Sequence, residues 1–353
     1  MKESAKLSIE DQTLIGALQV APRAPWSVIG KALGISPVTA ARHWQRITDE
    51  GTAWVTASPG IAWRAEQCFA YVEINCAPAQ RFEVATKLAQ HDLVVSVELT
   101  TGSADILLTI AASDLATLAH YLLEHLSVMD NILSTRARVA TKLYTEGSSW
   151  RLIKFDQNPQ RILERSRLEM VAGPVDDNPI TMTQELKAIA RLLAMNGRAS
   201  YSELASLTGI SATSVRRHTN RLIRGRIMLP RTDVSAELSE WPVQVYLWAD
   251  APIDVLADSA RVLSQFRQVR LCATVTAASN LILSAWLRTV EEVHRLELAI
   301  SRKLPQVRIV DRLIVLRTVK RMGRLIDAQG RAVGVVPINI WEHPLEHPAH
   351  LTD

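Results

Sequence analysis

The sequence predicts an α+β chain in which two winged helix-turn-helix domains and two ferredoxin-like αβ sandwich domains follow one another in tandem. Three observations lead there. Gly34-Ile35-Ser36 is followed by Arg42-His43, and Gly209-Ile210-Ser211 by Arg217-His218, at a constant offset of 175 residues. An offset of that size, shared by several residues, signals a duplicated module. Leu18, Ser27, Ile29, Thr39, Arg46 and Ile47 correspond in the same way to Leu193, Ser202, Leu204, Ser214, Arg221 and Leu222. After each of these stretches the apolar pattern reads strand, helix, strand, strand, helix, strand, the order of a sheet with helices on one face.

In the first module Ser8 precedes two acids, Glu10 and Asp11, as a capped helix start does. A short helix over 27–33 stops at Gly34, and Ser36-Pro37 opens a third with an N-cap hydroxyl and a proline at its first position. Ala40, Trp44 and Ile47 share its inner face. The first sandwich is expected as strands over 69–75, 94–101, 104–111 and 132–143 with helices over 80–90 and 114–126. Residues 147–179 contain Pro159, Gly173-Pro174 and Asp176-Asp177-Asn178-Pro179, a connector with one helix around 161–170 that lets the halves dock or orient independently.

The second module repeats the plan, with Thr181 or Thr183 starting its first helix, a short helix over 201–207, and Ser211 capping the third. Its sandwich is expected over 243–248, 253–263, 269–276, 280–287, 290–300 and 307–319, with a capping box at Thr289-Val290-Glu291-Glu292. Asp327-Ala328-Gln329-Gly330 reads as the turn of a hairpin within 322–336. The expected division is 1–64 and 181–238 for the helix-turn-helix domains, 65–146 and 239–321 for the sandwiches, 147–180 for the linker, and 322–353 for a C-terminal hairpin and tail. The apolar strands leave a second sheet face that needs a partner, another such sheet being the simplest. A homo-oligomer built through these sheets is expected.

With 353 residues, 48% of them hydrophobic, the chain can fill several cores. Cys68, Cys76 and Cys272 have neither C-x-x-C spacing nor histidines at zinc-finger distances, so a disulfide framework and a zinc site are not expected and a reducing cytoplasm is. The first 20 residues hold acids and no continuous apolar core, which argues against an export signal, and no apolar run reaches membrane-spanning length. A net charge of +4 permits nucleic-acid binding without requiring it.

The distribution of charge says more. Residues 212–226 hold five arginines, Arg216, Arg217, Arg221, Arg224 and Arg226, and no acid, an arrangement that is costly unless solvent or phosphate surrounds it. A single arginine-rich helix is as well read as a solvated surface. Two helices with the same stripe, Thr39, Arg42, His43 and Arg46 against Ser214, Arg217, His218 and Arg221, point instead to reading double-stranded DNA, which needs phosphate anchors together with forked donors for base edges. Thr213, Arg216 and Asn220 complete the second set of expected contacts. His43 and His218 suit either a phosphate contact or a plain surface position.

A helix-turn-helix with Gly-Ile-Ser before its third helix, joined to a sandwich with Thr101-Gly102-x-x-Asp105 between its central strands, resembles the Lrp/AsnC (feast/famine) transcription regulators, and does so twice, over 8–143 and 183–319. The resemblance implies a sequence-specific transcription regulator whose sandwich dimerises and binds a small effector, an amino acid or related metabolite. Thr101, Gly102 and Asp105 are its candidate residues: Gly102 permits positive φ, and Asp105 can take an ammonium group or close a turn. The matching stretch, Thr276-Ala277-Ala278-Ser279-Asn280, lacks both the glycine and the acid. Catalysis, a cofactor and a metal are not expected. Prolines separate the histidines of Glu342-His343-Pro344 and Glu346-His347-Pro348, which read as a tail. The alternative is an enzyme similar to fused sirohaem decarboxylases of this architecture. Its pocket would need histidine and arginine for the carboxylates of a tetrapyrrole, and the sandwich strands offer few beyond Arg136, Arg138 and Arg270.

Overall fold

The computed structural model describes residues 7–60, 67–172 and 181–341. Three helices come first, α1 (Ile9–Val20), α2 (Trp26–Leu33) and α3 (Pro37–Asp49), then strand β1 (Ala53–Pro59). Ser8 accepts the Asp11 N–H at 3.1 Å and Ser36 that of Thr39 at 3.0 Å, so both caps form. Gly34 turns the chain between α2 and α3 at φ 70°, a conformation that costs other residues roughly 1–2 kcal/mol. Leu14, Leu18, Ile29, Ala40, Trp44 and Ile47 meet in one core.

The next elements are β2 (Cys68–Cys76), α4 (Arg81–Ala89), β3 (Val94–Thr100), β4 (Ile106–Ala112), α5 (Leu115–His120) with a π-helical turn on to Leu126, and β5 (Ile132–Thr145). The connector carries α6 (Gln157–Val171), whose Leu163 joins the core of α1 to α3 together with Trp150 and Leu152. The connector is therefore docked rather than a free tether. A second trio follows, α7 (Gln184–Met195), α8 (Tyr201–Thr208) and α9 (Ala212–Arg224), then β6 (Met228–Val234). Thr183 caps α7, Ser200 and Glu203 form a capping box on α8, and Gly209 makes the turn at φ 71°.

The remaining elements are β7 (Val243–Asp250), α10 (Leu256–Leu263), β8 (Val269–Val275), β9 (Leu281–Leu287), α11 (Glu292–Lys303), β10 (Arg308–Arg321) and the hairpin β11 (Arg324–Ile326) with β12 (Ala332–Val335). Two local expectations are corrected. α10 starts at Leu256 rather than at 253, because Pro252 opens a turn closed by the Val255 N–H. The capping box of α11 does not form: the helix has no side-chain cap, and Glu292 instead accepts the Arg288 N–H at 2.9 Å.

All strand pairs are antiparallel. The order β10-β3-β4-β2-β5-β8-β9-β7 closes on itself through β10 and β7. Two four-stranded sheets are thereby joined at both edges, by β5 to β8 and by β10 to β3, into one eight-stranded barrel. α4 and α5 cover one outer face around Val84, Leu88 and Leu118, and α10 and α11 cover the other around Leu263, Leu296 and Ile300. The sequence left open whether the two sheets pair with each other or with those of a second chain; here they are joined to each other within one chain. Barrel closure removes the free edges that would otherwise template such pairing.

The two helix trios are joined as closely. β1 pairs with β6 in a two-stranded sheet centred on Thr56 and Arg231, which are themselves 175 residues apart. Arg23 donates to the carbonyls of Gly197 and Ala199, the latter at 3.0 Å, and Arg198 donates to those of Pro22 at 2.6 Å and Ala24 at 2.9 Å. The exchange is reciprocal. Burial first and repulsion from Arg23 second lower the Arg198 guanidinium to about 10, and the ring of Trp26 lies 4.0 Å below it.

Candidate nucleic-acid interface and inter-sheet chamber

On α9 the arginines Arg216 and Arg217 are exposed, as is Thr213. Val215, Thr219 and Leu222 are buried on the opposite face, so packing of the core holds the basic face outward. Ser214 shares the N-cap with Ser211, and Asn220 accepts from the Tyr201 hydroxyl at 3.4 Å. Arg221 is half-buried. His218 turns inward: its side chain is 12% exposed, with Nε2 3.0 Å from Glu185 of α7. It stands apart from the exposed arginines.

The stripe on α3 carries less free charge. Arg42 is exposed, Thr39 and His43 are half-buried, and Arg46 sits 2.5 Å from Asp11 and 3.3 Å from Glu50. Two carboxylates thus neutralise Arg46, and they raise its pKa against the opposing effect of burial. The two stripes agree in residue type and differ in the charge they offer.

Thr101, Gly102 and Asp105 lie where the two sheets join. Thr101 donates its N–H to the Ile314 carbonyl at 2.9 Å, and its Oγ1 accepts the Ile314 N–H at 3.1 Å. Thr276 and Val139, each 175 residues removed, exchange the same pair of bonds at 2.9 and 3.1 Å. Asp105 Oδ2 accepts the Cys76 N–H at 3.0 Å, and Oδ1 lies 2.6 Å from Arg81. Asn280 Oδ1 accepts the matching Ala251 N–H at 3.1 Å, so an amide performs the backbone task in the other half. Gly102 has φ +88°, and a Cβ there would stand 2.9 Å from the Arg312 carbonyl. Asp105→Asn should therefore change stability by less than about 1 kcal/mol, whereas Asp105→Ala, which orphans a strand-end N–H, should cost about 1–3 kcal/mol. Urea denaturation midpoints of the two variants check this.

Inside the barrel lies a chamber of about 100 Å³ that sequence reasoning missed, and its walls are charged. Asp233 of β6 receives Arg231 at 2.7 Å and Arg270 of β8 at 3.2 Å, and Arg231 also reaches Glu146 at 2.7 Å. Burial pushes the Asp233 carboxyl up, but Arg231 and Arg270 outweigh it and hold the group below its ordinary value. Burial lowers Arg270 to about 9, with Asp233 opposing and Arg321 adding repulsion. Arg231, bonded to two carboxylates, is raised in spite of its burial. Arg270 stacks 3.7 Å from the ring of Trp286. Arg321 donates to Gln244 at 2.8 Å and Thr318 at 2.9 Å, both neutral acceptors.

Glu98, 1% exposed and 3.5 Å from the Tyr246 hydroxyl, is pushed by burial to about 8, with Arg321 opposing. The native state thus keeps a proton that the unfolded chain loses near its ordinary value of 4.5. Stability from this group is present below that value and is lost as pH rises through about 8. Glu98→Gln should flatten this loss, which thermal melts of wild type and variant across the same pH window measure directly.

Residues 69–150 match the Lrp/AsnC ligand binding domain, and residues 185–226 match a winged helix-turn-helix DNA-binding domain. The chain thus carries one segment similar to each of these two domains. An uncharacterized HTH-type transcriptional regulator of Pyrococcus abyssi is 28% identical over 138 residues, 39% of this chain and 87% of that protein. A second, from Pyrococcus horikoshii, is 25% identical over 138 residues with the same coverage. Among solved structures, the siroheme decarboxylase NirDL in complex with an iron-uroporphyrin III analogue has a TM-score of 0.56 at 14% identity, over 88% of this chain and 92% of that one. That likeness shows a shared fold. Among the described residues no helix is long and apolar enough to cross a membrane.

Proposed function

We propose that this chain is a sequence-specific DNA-binding transcription regulator that responds to a small effector, built as a tandem duplication with the domain division set out above. The observation that carries the reading is the exposed Arg216 and Arg217 on α9, in an acid-free stretch inside the segment that matches a winged helix-turn-helix. The hydrogen bonds repeated at an offset of 175 residues support the duplication. α9 is the principal reader, with Thr213, Ser214, Asn220 and Arg221 beside the two exposed arginines. Arg42, Thr39, His43 and Arg46 of α3 contribute more weakly, because Arg46 is already neutralised. His218 acts by bracing α9 against α7. A cytoplasmic location follows from DNA as the partner. By the resemblance, an amino acid or related effector would bind near Thr101, Gly102 and Asp105, where Asp105 already has two partners.

One observation favours a second reading. The fold is shared with a siroheme decarboxylase over most of the chain, and Arg138, Arg231, Arg270 and Arg321 are all buried. Against it, the interior chamber of about 100 Å³ falls short of the roughly 300 Å³ or more that a ligand far smaller than a tetrapyrrole occupies. That chamber is too small to enclose such a group. A gel shift on the chain's own upstream DNA, paired with a visible-absorbance titration against an iron tetrapyrrole, separates the readings. A shifted duplex without a bound chromophore supports the regulator, and a saturable chromophore without a shift overturns it.

A further inference from the structure

The two ends of the barrel differ in chemistry. At one end Phe69, Val95 and Ala111 pack with Ile338 and Ile340 in an apolar cluster. The residues 175 positions further on are Gln244, Arg270 and Trp286, and these line the charged chamber with Arg231 and Asp233 of β6. Charge has replaced hydrocarbon at the matching place. Burying charge is costly unless it is fully paired.

Pairing within the protein is incomplete. Three guanidinium groups, Arg231, Arg270 and Arg321, line the chamber against the ion-paired carboxylates of Asp233 and Glu146. Arg321 is the third cation: its hydrogen bonds go to the neutral Gln244 and Thr318, and burial disfavours the charged form of nearby Glu98. Among the described residues, Nη1 of Arg270, a residue 6% exposed, and Oε2 of Glu98 find no hydrogen-bond partner. Among groups buried as these are, such a surplus attracts an anion more strongly than it would in bulk water. The Arg270 guanidinium lies against the rings of Trp286 and Trp150, at 3.7 and 4.9 Å. The backbone at Gly147 comes so close that a Cβ would stand 2.7 Å from both Arg231 and Arg270. The space is that of about three waters at ~30 Å³ each, enough for an acid of two or three carbons.

We propose that this chamber binds a small carboxylate, its oxygens held by Arg270 and Arg321 and its short carbon chain lying against Tyr71 and Tyr246. Glu98 supplies a further donor through its carboxyl proton. The site is distinct from Thr101, Gly102 and Asp105, and it does not rest on the DNA reading, because its test contains no DNA. Its wall includes β6, the strand that follows α9, so an occupant would touch the barrel and the paired wings together.

The test is calorimetric titration of the full chain, freed of carboxylates by dialysis, with sodium propionate and sodium acetate at matched ionic strength. One saturable site is expected for propionate and none for sodium chloride. Arg270→Lys keeps the charge beside Asp233 but offers no second nitrogen, and Arg321→Gln removes a cation while keeping a donor for Thr318. Each should weaken propionate by roughly tenfold or more, since charge-assisted bonds are the strong ones. Asp105→Asn should bind as wild type. Should Arg270→Lys fail to fold, Arg321→Gln carries the comparison. The proposal is overturned if wild type shows neither saturable heat nor a rise in melting temperature over equimolar chloride, or if a folded arginine variant binds as wild type does.

Discussion

Asp233→Ala is expected to destabilise the fold strongly. It removes the carboxylate shared by Arg231 and Arg270 and leaves Arg270, 6% exposed, without its counter-charge. Orphaning a buried charge costs about 3–5 kcal/mol, a large part of the 5–15 kcal/mol that holds a typical domain together. By contrast Glu83→Ala breaks an exposed pair with Lys87 and should leave the denaturant midpoint nearly unchanged. Denaturant midpoints at neutral pH check the difference. Equal midpoints for the two variants would mean that the buried network contributes nothing.

The second large effect concerns the basic face. Replacing Arg216 and Arg217 together with alanine should leave the fold intact, because both are exposed and the core of α9 is formed by Val215, Thr219 and Leu222. Affinity for duplex DNA should fall by about tenfold or more, and the slope of log affinity against log salt by about one for each phosphate no longer neutralised. Arg42→Ala with Arg46→Ala should cost less, since Arg46 is engaged by Asp11 and Glu50 before any DNA arrives. Fluorescence anisotropy across a salt series gives both quantities. Equal reductions from the two pairs would place the reading on both helices alike.

Local signals carried much of this in the sequence. Ser8, Ser36, Ser211 and Gly34 and Gly209 mark helix ends through chemistry that acts over a few residues, and the structure uses each in that way. The order of strands and helices in each half follows from periodicity for the same reason. Closure of the barrel was not legible, because pairing of β10 with β3 and of β5 with β8 depends on contacts more than a hundred residues apart in the chain. The chamber was hidden for a related reason. Arg270 was legible only as one possible carboxylate partner, Arg231 and Arg321 carry no local signal of burial until β6 is placed over the barrel, and Lys320, which donates to the His91 carbonyl at 2.7 Å, looks no different from a surface lysine.

The repeat held more information than its motifs showed. Arg23 and Arg198 are 175 residues apart, as are Tyr71 and Tyr246, and both pairs meet or face one another across the pseudo-symmetric structure. Differences between the halves were informative too. Asn280 in place of Asp105 suggested a lost ligand, yet both side chains accept the same strand-end N–H. His218 matches His43 in sequence, but Glu185 draws it in toward α7.

Whether the chain reads DNA through α9, with a weaker contribution from α3, is decided by a nuclease footprint of the wild-type protein on its own upstream DNA. A protected region with two unequal halves is expected, because non-identical helices from one chain need not read a symmetric site. The stronger half should disappear with Arg216→Ala and Arg217→Ala. No protection at low salt, or a footprint that the double variant leaves unchanged, would contradict this reading.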